Sequence, residues 1–227
     1  MQPIIFTNNQ ISDCYHKLIK NYHRLINRNN HIEMLNDNDI LLLLQVLINV
    51  HHTIKIGLID SQLSSLIMND YLNNKETNVK TLDTFLEYFI HKYDILTIPL
   101  CFKTHWSLII YIRLYDKLIY LDSLNNYHCN YINKFYSMLK TYNINIKDLV
   151  YVKSIKQDDN WECGYYIIIF FHLSIRLFNQ RDKFGKEQYH VLLESLLTKK
   201  FNLQDLLQLF TNIIYIQIKR NEYNEIK

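Results

Sequence analysis

A cysteine that ends a polar loop is the residue best placed to do chemistry in this 227-residue sequence. The polar segment of residues 157–164 stops at Cys163, and a long apolar stretch typical of a helix begins there. A thiol in the first helical turn faces unpartnered backbone N–H groups and the positive end of the helix dipole, which favour the thiolate. Gly164 would let a substrate carbonyl approach the backbone closely. Taken alone, Cys163 could equally be a small core residue.

Three other residues could assist a thiol nucleophile. A cysteine nucleophile needs a base, and the base needs a carboxylate or amide that orients its ring. His105 and Asp122 flank a predicted hairpin and should lie at the same end of it. Gln157, shortly before Cys163, could donate an N–H group to a developing oxyanion. The order His, Asp, Gln, Cys therefore predicts the site of a cysteine hydrolase.

Several short motifs make the sequence similar to a known family over about residues 34–178. They are Ile98-Pro99, His105-Trp106-Ser107-Leu108, Tyr120-Leu121-Asp122-Ser123-Leu124, Gln157 and Cys163-Gly164. In these motifs the chain resembles the cysteine proteases that cleave SUMO and NEDD8, relatives of the adenovirus protease. Residues 34–37 resemble the family's Trp-Leu-Asn-Asp element with Met in place of Trp, and Glu162 replaces its usual Asp.

The resemblance implies a role for each catalytic residue. Cys163 would be the nucleophile, and His105 the general base and later the acid. Asp122 would orient the histidine. Gln157 and the backbone N–H of Cys163 would bind the oxyanion. No metal or cofactor is expected.

The resemblance also implies a set of substrate-binding residues. Trp106 would line a narrow channel for a diglycine tail, and Met34 would replace the tryptophan of a second wall. Trp106 could instead be an ordinary core aromatic of a strand. Asp37 could contact a basic patch on the substrate or cap the helix after it. Trp161 and Gly164 complete the predicted set.

The expected function is hydrolysis of peptide or isopeptide bonds after the C-terminal Gly-Gly of a ubiquitin-like modifier: SUMO, NEDD8 or ubiquitin. One alternative is a protease that processes a viral polyprotein. Another is an effector of the same clan, either a deubiquitinase or an acetyltransferase, that acts on a host. A third is a non-enzymatic member that only binds a modifier, which the complete His, Asp, Gln and Cys set disfavours.

The elements that must position these residues predict an α+β fold. Helices are expected over residues 11–26, 35–50, 81–91, 131–142, 163–178, 189–197 and 203–218, and strands over residues 96–102, 106–112, 118–121 and 149–152. This order predicts a papain-like or adenain-like peptidase, with a mostly antiparallel central sheet flanked by helices. The expected N-caps are Asp37 or Asn38 for the second helix and Thr81 or Asp83 for the third. Residues 1–33 are predicted to be an N-terminal extension and residues 34–227 the catalytic domain.

Composition excludes several other classes of protein. Hydrophobic residues make up 48% and charged residues 21%, as in a globular domain. The net charge of +3 is too small to indicate a nucleic-acid or membrane partner. The 4 Cys form no Cys-x-x-Cys pair and are too few for a disulfide framework. His51-His52 could suggest a metal site, but no Cys or carboxylate at matching spacing accompanies them, so none is expected.

The expected state and location follow the same reading. We expect a monomer in the cytoplasm or nucleus, or in a host cell if the protein is viral or an effector. The absence of Ala indicates that the source has an AT-rich genome.

Overall fold

The computed structural model describes residues 6–27, 32–51, 53–73, 78–90, 93–125, 129–157, 161–185, 187–199 and 202–225. The chain divides into two compact units, Met1–His51 with Lys200–Lys227, and His52–Lys199. Within the described ranges, no helix is long and apolar enough to cross a membrane.

Eight α-helices and five strands make up the regular structure of these described ranges. In chain order they are α1 (Asn8–Ile26), α2 (Asp37–Val50), β1 (Ile56–Leu58), α3 (Ser61–Leu72), α4 (Val79–Ile90), β2 (Ile95–Phe102), β3 (His105–Ile112), β4 (Lys117–Leu121), α5 (Cys129–Thr141), β5 (Asp148–Val152), α6 (Cys163–Phe178), α7 (Gln188–Leu197) and α8 (Leu203–Glu225). The predicted α+β class is confirmed.

The first unit contains α1, α2 and α8, which pack on one another. Helix α1 buries side chains at helical spacing on one face: Ile11, Cys14, Leu18 and Asn21. The predicted boundary between residues 33 and 34 falls inside this unit, and it stays a prediction.

Two predicted N-caps are wrong. Helix α2 is capped by Asn36, whose side chain accepts the N–H of Asp39 at 3.0 Å, while the Asp39 carboxylate accepts the N–H of Asn36 at 2.9 Å. This reciprocal capping box places Asp37 inside the first helical turn. Helix α4 begins earlier than predicted because Asn78 accepts the N–H of Lys80 at 3.0 Å.

The second unit is built on a five-stranded mixed sheet in the order β1-β2-β3-β4-β5. Strands β2, β3 and β4 are antiparallel neighbours joined by short turns, as predicted. The outer strands β1 and β5 pair in parallel with β2 and β4. Parallel pairing requires a crossover, which α3 and α4 provide on one side and α5 on the other.

Helices cover both faces of the sheet. One large cluster packs α3, α4 and α5 against alternate residues of β2, β3 and β4, among them Ile98, Ile109 and Tyr120. Helix α6 also packs on β3. Every residue of β3 and β4 is buried. These two strands therefore form a rigid base for the residues at their ends.

The sequence analysis missed β1 and α3. Strand β1 has only three residues, and its Gly57 is required because a Cβ there would lie 2.7 Å from the Tyr93 ring. Helix α3 turns two serines inward, so its apolar period is interrupted. Ser61 and Ser64 are both fully buried, and the Ser64 hydroxyl donates to the Pro99 carbonyl at 2.6 Å.

Candidate active site

The predicted nucleophile lies at the start of helix α6. Cys163 is the first residue of this helix and is only 4% exposed. The carbonyl of Glu162 accepts the N–H groups of Tyr165 and Tyr166 at 2.9 and 3.0 Å, which closes the first turn. The N–H of Cys163 precedes the residues that can bond within the helix, so it is a donor at the helix N-terminus.

The predicted base begins strand β3, directly after a tight turn. Lys103 and Thr104 join β2 to β3, and both have positive φ, 49° and 67°. Two positive φ values are the signature of a type I′ turn, whose twist matches a two-residue hairpin. His105 follows this turn, is 6% exposed and pairs with Phe102.

The structure brings the thiol, imidazole and carboxylate together. Nε2 of His105 lies 2.7 Å from Oδ1 of Asp122, and this pair is buried. A carboxylate can only accept a hydrogen bond, so Nε2 carries a proton. The same ring is hydrogen-bonded to the side chain of Cys163. Because Nε2 is hydrogen-bonded to Asp122, the ring atom available to the Cys163 thiol is Nδ1.

The electrostatics of the site favour a charged imidazole. Burial lowers the pKa of His105, but the hydrogen bonds to Asp122 and Cys163, together with their negative charges, outweigh it and raise the pKa to about 9. His105 is therefore an imidazolium at neutral pH. An imidazolium beside a cysteine stabilises a thiolate, which is the reactive form of the nucleophile.

Two further groups hold the carboxylate of Asp122, which has no exposed side-chain surface. Its Oδ1 also accepts the backbone N–H of Leu124 at 2.9 Å. Its Oδ2 accepts the hydroxyl of Tyr120 at 3.1 Å. The sequence analysis gave Tyr120 no role of its own. The signal was present, because residues two apart on a strand point to the same face.

The predicted oxyanion donor is tied to the same strand end. Gln157 is 4% exposed, and its backbone N–H donates to the Ser123 carbonyl at 2.9 Å. Its side-chain Oε1 accepts the hydroxyl of Ser123. The donors of this side chain are on its amide nitrogen. Ser123 follows Asp122 directly, so one short segment orients both side chains.

Three of the predicted substrate-binding residues lie in the same unit as the predicted catalytic residues. Trp106 follows His105 in β3 and is 6% exposed. Trp161 is half-buried and packs edge-on against Tyr165, with ring centroids 5.9 Å apart. Gly164 is buried in the first turn of α6. The role of each in substrate binding stays a prediction.

The other two predicted substrate-binding residues belong to the first unit. Met34 precedes α2 and is 52% exposed. Asp37 is the first residue of α2 and is half-buried. Their roles likewise stay predictions. Among the described residues, no group of three or more His, Cys, Asp or Glu side chains is arranged to hold a metal ion.

The fold and the site define a class of protein. A thiol at a helix N-terminus, an imidazole at the start of a strand and a buried carboxylate after the next strand form the catalytic arrangement of cysteine peptidases. Within that class, the chain belongs to the Ulp1 protease family. The model of the family's C-terminal catalytic domain matches residues 6–200. This match confirms the resemblance found in the sequence motifs.

Individual relatives agree with this assignment. The chain is 30% identical over 127 residues to the probable sentrin-specific protease 8 of Dictyostelium discoideum, and the match covers 52% of each chain. The chain thus spans about half the length of that relative.

Solved structures share the fold. The C-terminal Ulp1 protease domain in complex with Smt3, the yeast ortholog of SUMO, is 14% identical with a TM-score of 0.54, over 94% of this chain and 96% of that chain. The Xanthomonas campestris effector XopD, bound to ubiquitin, is 12% identical with a TM-score of 0.53, over 78% of this chain and 90% of that chain.

Proposed function

We propose that this protein is a cysteine protease that hydrolyses the bond after the C-terminal Gly-Gly of a ubiquitin-like modifier. The observation that carries the proposal is the hydrogen-bonded series of Cys163, His105 and Asp122 at the start of α6. Family membership supports the same activity. In this proposal Cys163 is the nucleophile, His105 the acid and base, and Asp122 the residue that orients the ring.

The first half of the reaction forms a thioester. The Cys163 thiolate attacks the carbonyl carbon of the terminal glycine, and the carbonyl oxygen becomes an oxyanion. The backbone N–H of Cys163 and the side-chain amide of Gln157 donate to this oxygen. As the C–N bond breaks, the Nδ1 proton of His105 passes to the leaving amine.

The second half releases the modifier. Neutral His105 takes a proton from water at Nδ1, and the water oxygen attacks the thioester carbonyl. The C–S bond breaks, the modifier leaves with a free carboxylate, and the thiolate–imidazolium pair is restored.

Selectivity for glycine follows from the aromatic side chain beside the base. In the proposal the Trp106 indole covers the Gly-Gly backbone of the tail, and a larger side chain would clash with it. The modifier is proposed from the relatives, because the matched curated protein is named sentrin-specific and the similar structures hold Smt3 and ubiquitin. A reducing compartment best preserves a free thiol, so we propose the cytoplasm or nucleus as the location of the activity. We also propose that the protein acts as a monomer.

The test is a panel of ubiquitin, SUMO and NEDD8 substrates, each with aminocoumarin on its C-terminal Gly. We expect the wild-type protein to hydrolyse at least one of them. Cys163→Ala should abolish turnover. Cys101→Ala is the matched control, because this half-buried thiol lies within β2 and should be dispensable. The proposal fails if none of the three is hydrolysed, or if Cys101→Ala is the inactive variant.

A further inference from the structure

The hydroxyl of Tyr120 binds the Asp122 carboxylate through the oxygen that does not face His105. Asp122 presents Oδ1 to Nε2 of His105 at 2.7 Å and to the backbone N–H of Leu124 at 2.9 Å. Its other oxygen, Oδ2, accepts the Tyr120 hydroxyl at 3.1 Å. Both side chains are buried, so water competes little with this hydrogen bond.

Neighbouring side chains hold the ring of Tyr120 in place. Tyr151 is its partner in the β4–β5 register and packs edge-on against it, with ring centroids 5.7 Å apart. The Tyr151 hydroxyl in turn donates to the carbonyl of Cys129, the first residue of α5, at 3.2 Å. The hydroxyl of Tyr120 also interacts with the buried side chain of Ser107 in β3. These contacts keep the Tyr120 hydroxyl beside Asp122.

Tyr120 stays neutral over the pH range in which the site can work. Burial, together with the charge of Asp122, raises the pKa of its hydroxyl well above the usual value. Two other titratable groups lie close by. Burial raises the pKa of the Cys129 thiol, and it raises the pKa of Tyr151 to about 12. The charged groups that interact with His105 are therefore Asp122 and the Cys163 thiolate.

A donor on Oδ2 changes how strongly the carboxylate acts on His105. A hydrogen bond to a carboxylate stabilises its charge and makes it a weaker base. A weaker base leaves the shared proton on Nε2 of His105 and attracts the imidazolium less strongly. Without the donor, the ring would hold its protons more firmly, and the Nδ1 proton would pass less readily to a leaving amine.

We propose that Tyr120 is a positioning residue for the reaction and that it acts through Asp122. Its hydroxyl takes up part of the carboxylate charge, so that Asp122 orients His105 without holding the protons of the ring too tightly. This inference rests on the proposed function, and it gives a residue of the central sheet a role in the pH range of the enzyme.

The variant that tests the inference is Tyr120→Phe, which keeps the ring and removes the hydroxyl. NMR with isotope-labelled histidine follows the titration of His105, whose signals are identified by their absence from His105→Asn. We expect the titration of His105 to move to higher pH by about half to one pH unit. One hydrogen bond is worth about one to two pH units at the carboxylate itself, and only part of this reaches the ring. The basic limb of kcat/KM should move in the same direction.

Tyr151→Phe is the matched control, because it removes a hydroxyl from the neighbouring ring without removing a donor from Asp122. The titration of His105 in this variant should stay as in the wild type. An unchanged titration in Tyr120→Phe overturns the inference, and so does an equal shift in Tyr151→Phe. A move to lower pH in Tyr120→Phe also overturns it, because that is the effect of a displaced carboxylate.

A second substitution covers the case in which Tyr120→Phe does not fold. A tyrosine fluorinated next to its hydroxyl, placed at position 120 alone, keeps the hydrogen bond and is a stronger donor. The expected shift then has the opposite sign, and His105 should titrate at lower pH than in the wild type. An unchanged titration, or a move to higher pH, would overturn the inference.

The outcomes also separate this inference from the proposed function. A wild-type protein that hydrolyses no modifier substrate overturns the proposed function, and with it the role of Tyr120 in the reaction. A wild-type protein that is active, together with an unshifted His105 titration in Tyr120→Phe, overturns the role of Tyr120 alone.

Discussion

Replacing Asp122 by asparagine should remove a charge from the site and leave the ring of His105 in place. The oxygen Oδ1 accepts from Nε2 of His105 and from the backbone N–H of Leu124. The Leu124 N–H cannot accept, so the amide oxygen of an asparagine must face it and remain beside His105. The NH₂ group then faces the Tyr120 hydroxyl, which can turn and accept. The Asp122→Asn variant should therefore keep the tautomer of His105.

The expected loss is the attraction between the carboxylate and the imidazolium. Two unit charges about 4 Å apart interact by about 4 kcal/mol at an effective dielectric constant of about 20. The hydrogen bond from Nε2 survives, so this figure is an upper limit, equivalent to about a thousandfold. We expect kcat/KM at pH 7 to fall about 10²–10³-fold in Asp122→Asn.

The assay is the pH profile of kcat/KM between about pH 5 and pH 10 on a modifier–aminocoumarin substrate. In the wild type, activity should fall as pH rises through the pKa of His105, about 9, because the imidazolium is lost. In Asp122→Asn, burial is no longer opposed by the carboxylate, so this limb should move to lower pH. Asp148→Asn, which removes the same charge from an exposed position, should behave as wild type.

The pH dependence of Tm tests the interaction between Asp122 and protonated His105 independently of activity. The pKa of His105 is about 9 in the fold, whereas an ordinary histidine has a pKa of 6.5. Protonated His105 therefore stabilises the fold fully below about pH 6.5, and this contribution is lost as pH rises through about 9. Asp122→Asn should lower Tm more at pH 6 than at pH 10. A loss above about 10⁴-fold with the basic limb unmoved would refute the reasoning, because it would indicate a turned ring or the wrong tautomer.

Three other substitutions test neighbouring parts of the site. Gln157→Ala should lower kcat about 10²–10³-fold, the usual loss of one oxyanion donor, and an unchanged kcat in steady-state kinetics would remove Gln157 from the site. Tyr120→Phe leaves Oδ2 of Asp122 without its hydroxyl donor and should lower the free energy of unfolding by about 1–3 kcal/mol in a urea titration. An unchanged urea midpoint would show that the Tyr120–Asp122 hydrogen bond does not stabilise the fold. Thr104→Gly relieves a β-branched residue at φ 67° and should raise stability by about 1 kcal/mol, or Tm by about 2–4 °C, with kcat preserved; a lower Tm would argue against strain in the turn.

The catalytic elements could be predicted because their signals are local. The start of α6 at Cys163 is visible as a polar loop followed by an apolar run. The hairpin is visible as two apolar segments with a short turn, and it carries His105 and Asp122 to one end of the sheet. Chemistry restricts which residues can serve a thiol, so these three could be selected from many similar ones.

The supporting contacts could not be predicted, because they join residues that are far apart in the sequence. Nothing in the sequence pairs Ser123 with Gln157, which meet only when β4 and the segment after β5 come together. The same holds for the amide of Asn21 and the backbone of Glu33. Buried polar groups follow no period, so their partners are known only once the packing is known.

The most direct test of the central claim is the site of covalent modification by modifier probes. Ubiquitin, SUMO and NEDD8 that carry a C-terminal propargylamide each place an electrophile where the scissile carbonyl would lie. The account predicts that intact mass spectrometry will show one adduct per molecule with at least one probe, and that peptide mapping will place it on Cys163. Cys163→Ala should give no adduct, and His105→Ala should give one far more slowly. An adduct on Cys101 or Cys129, or one that survives in Cys163→Ala, would contradict the assignment of the nucleophile.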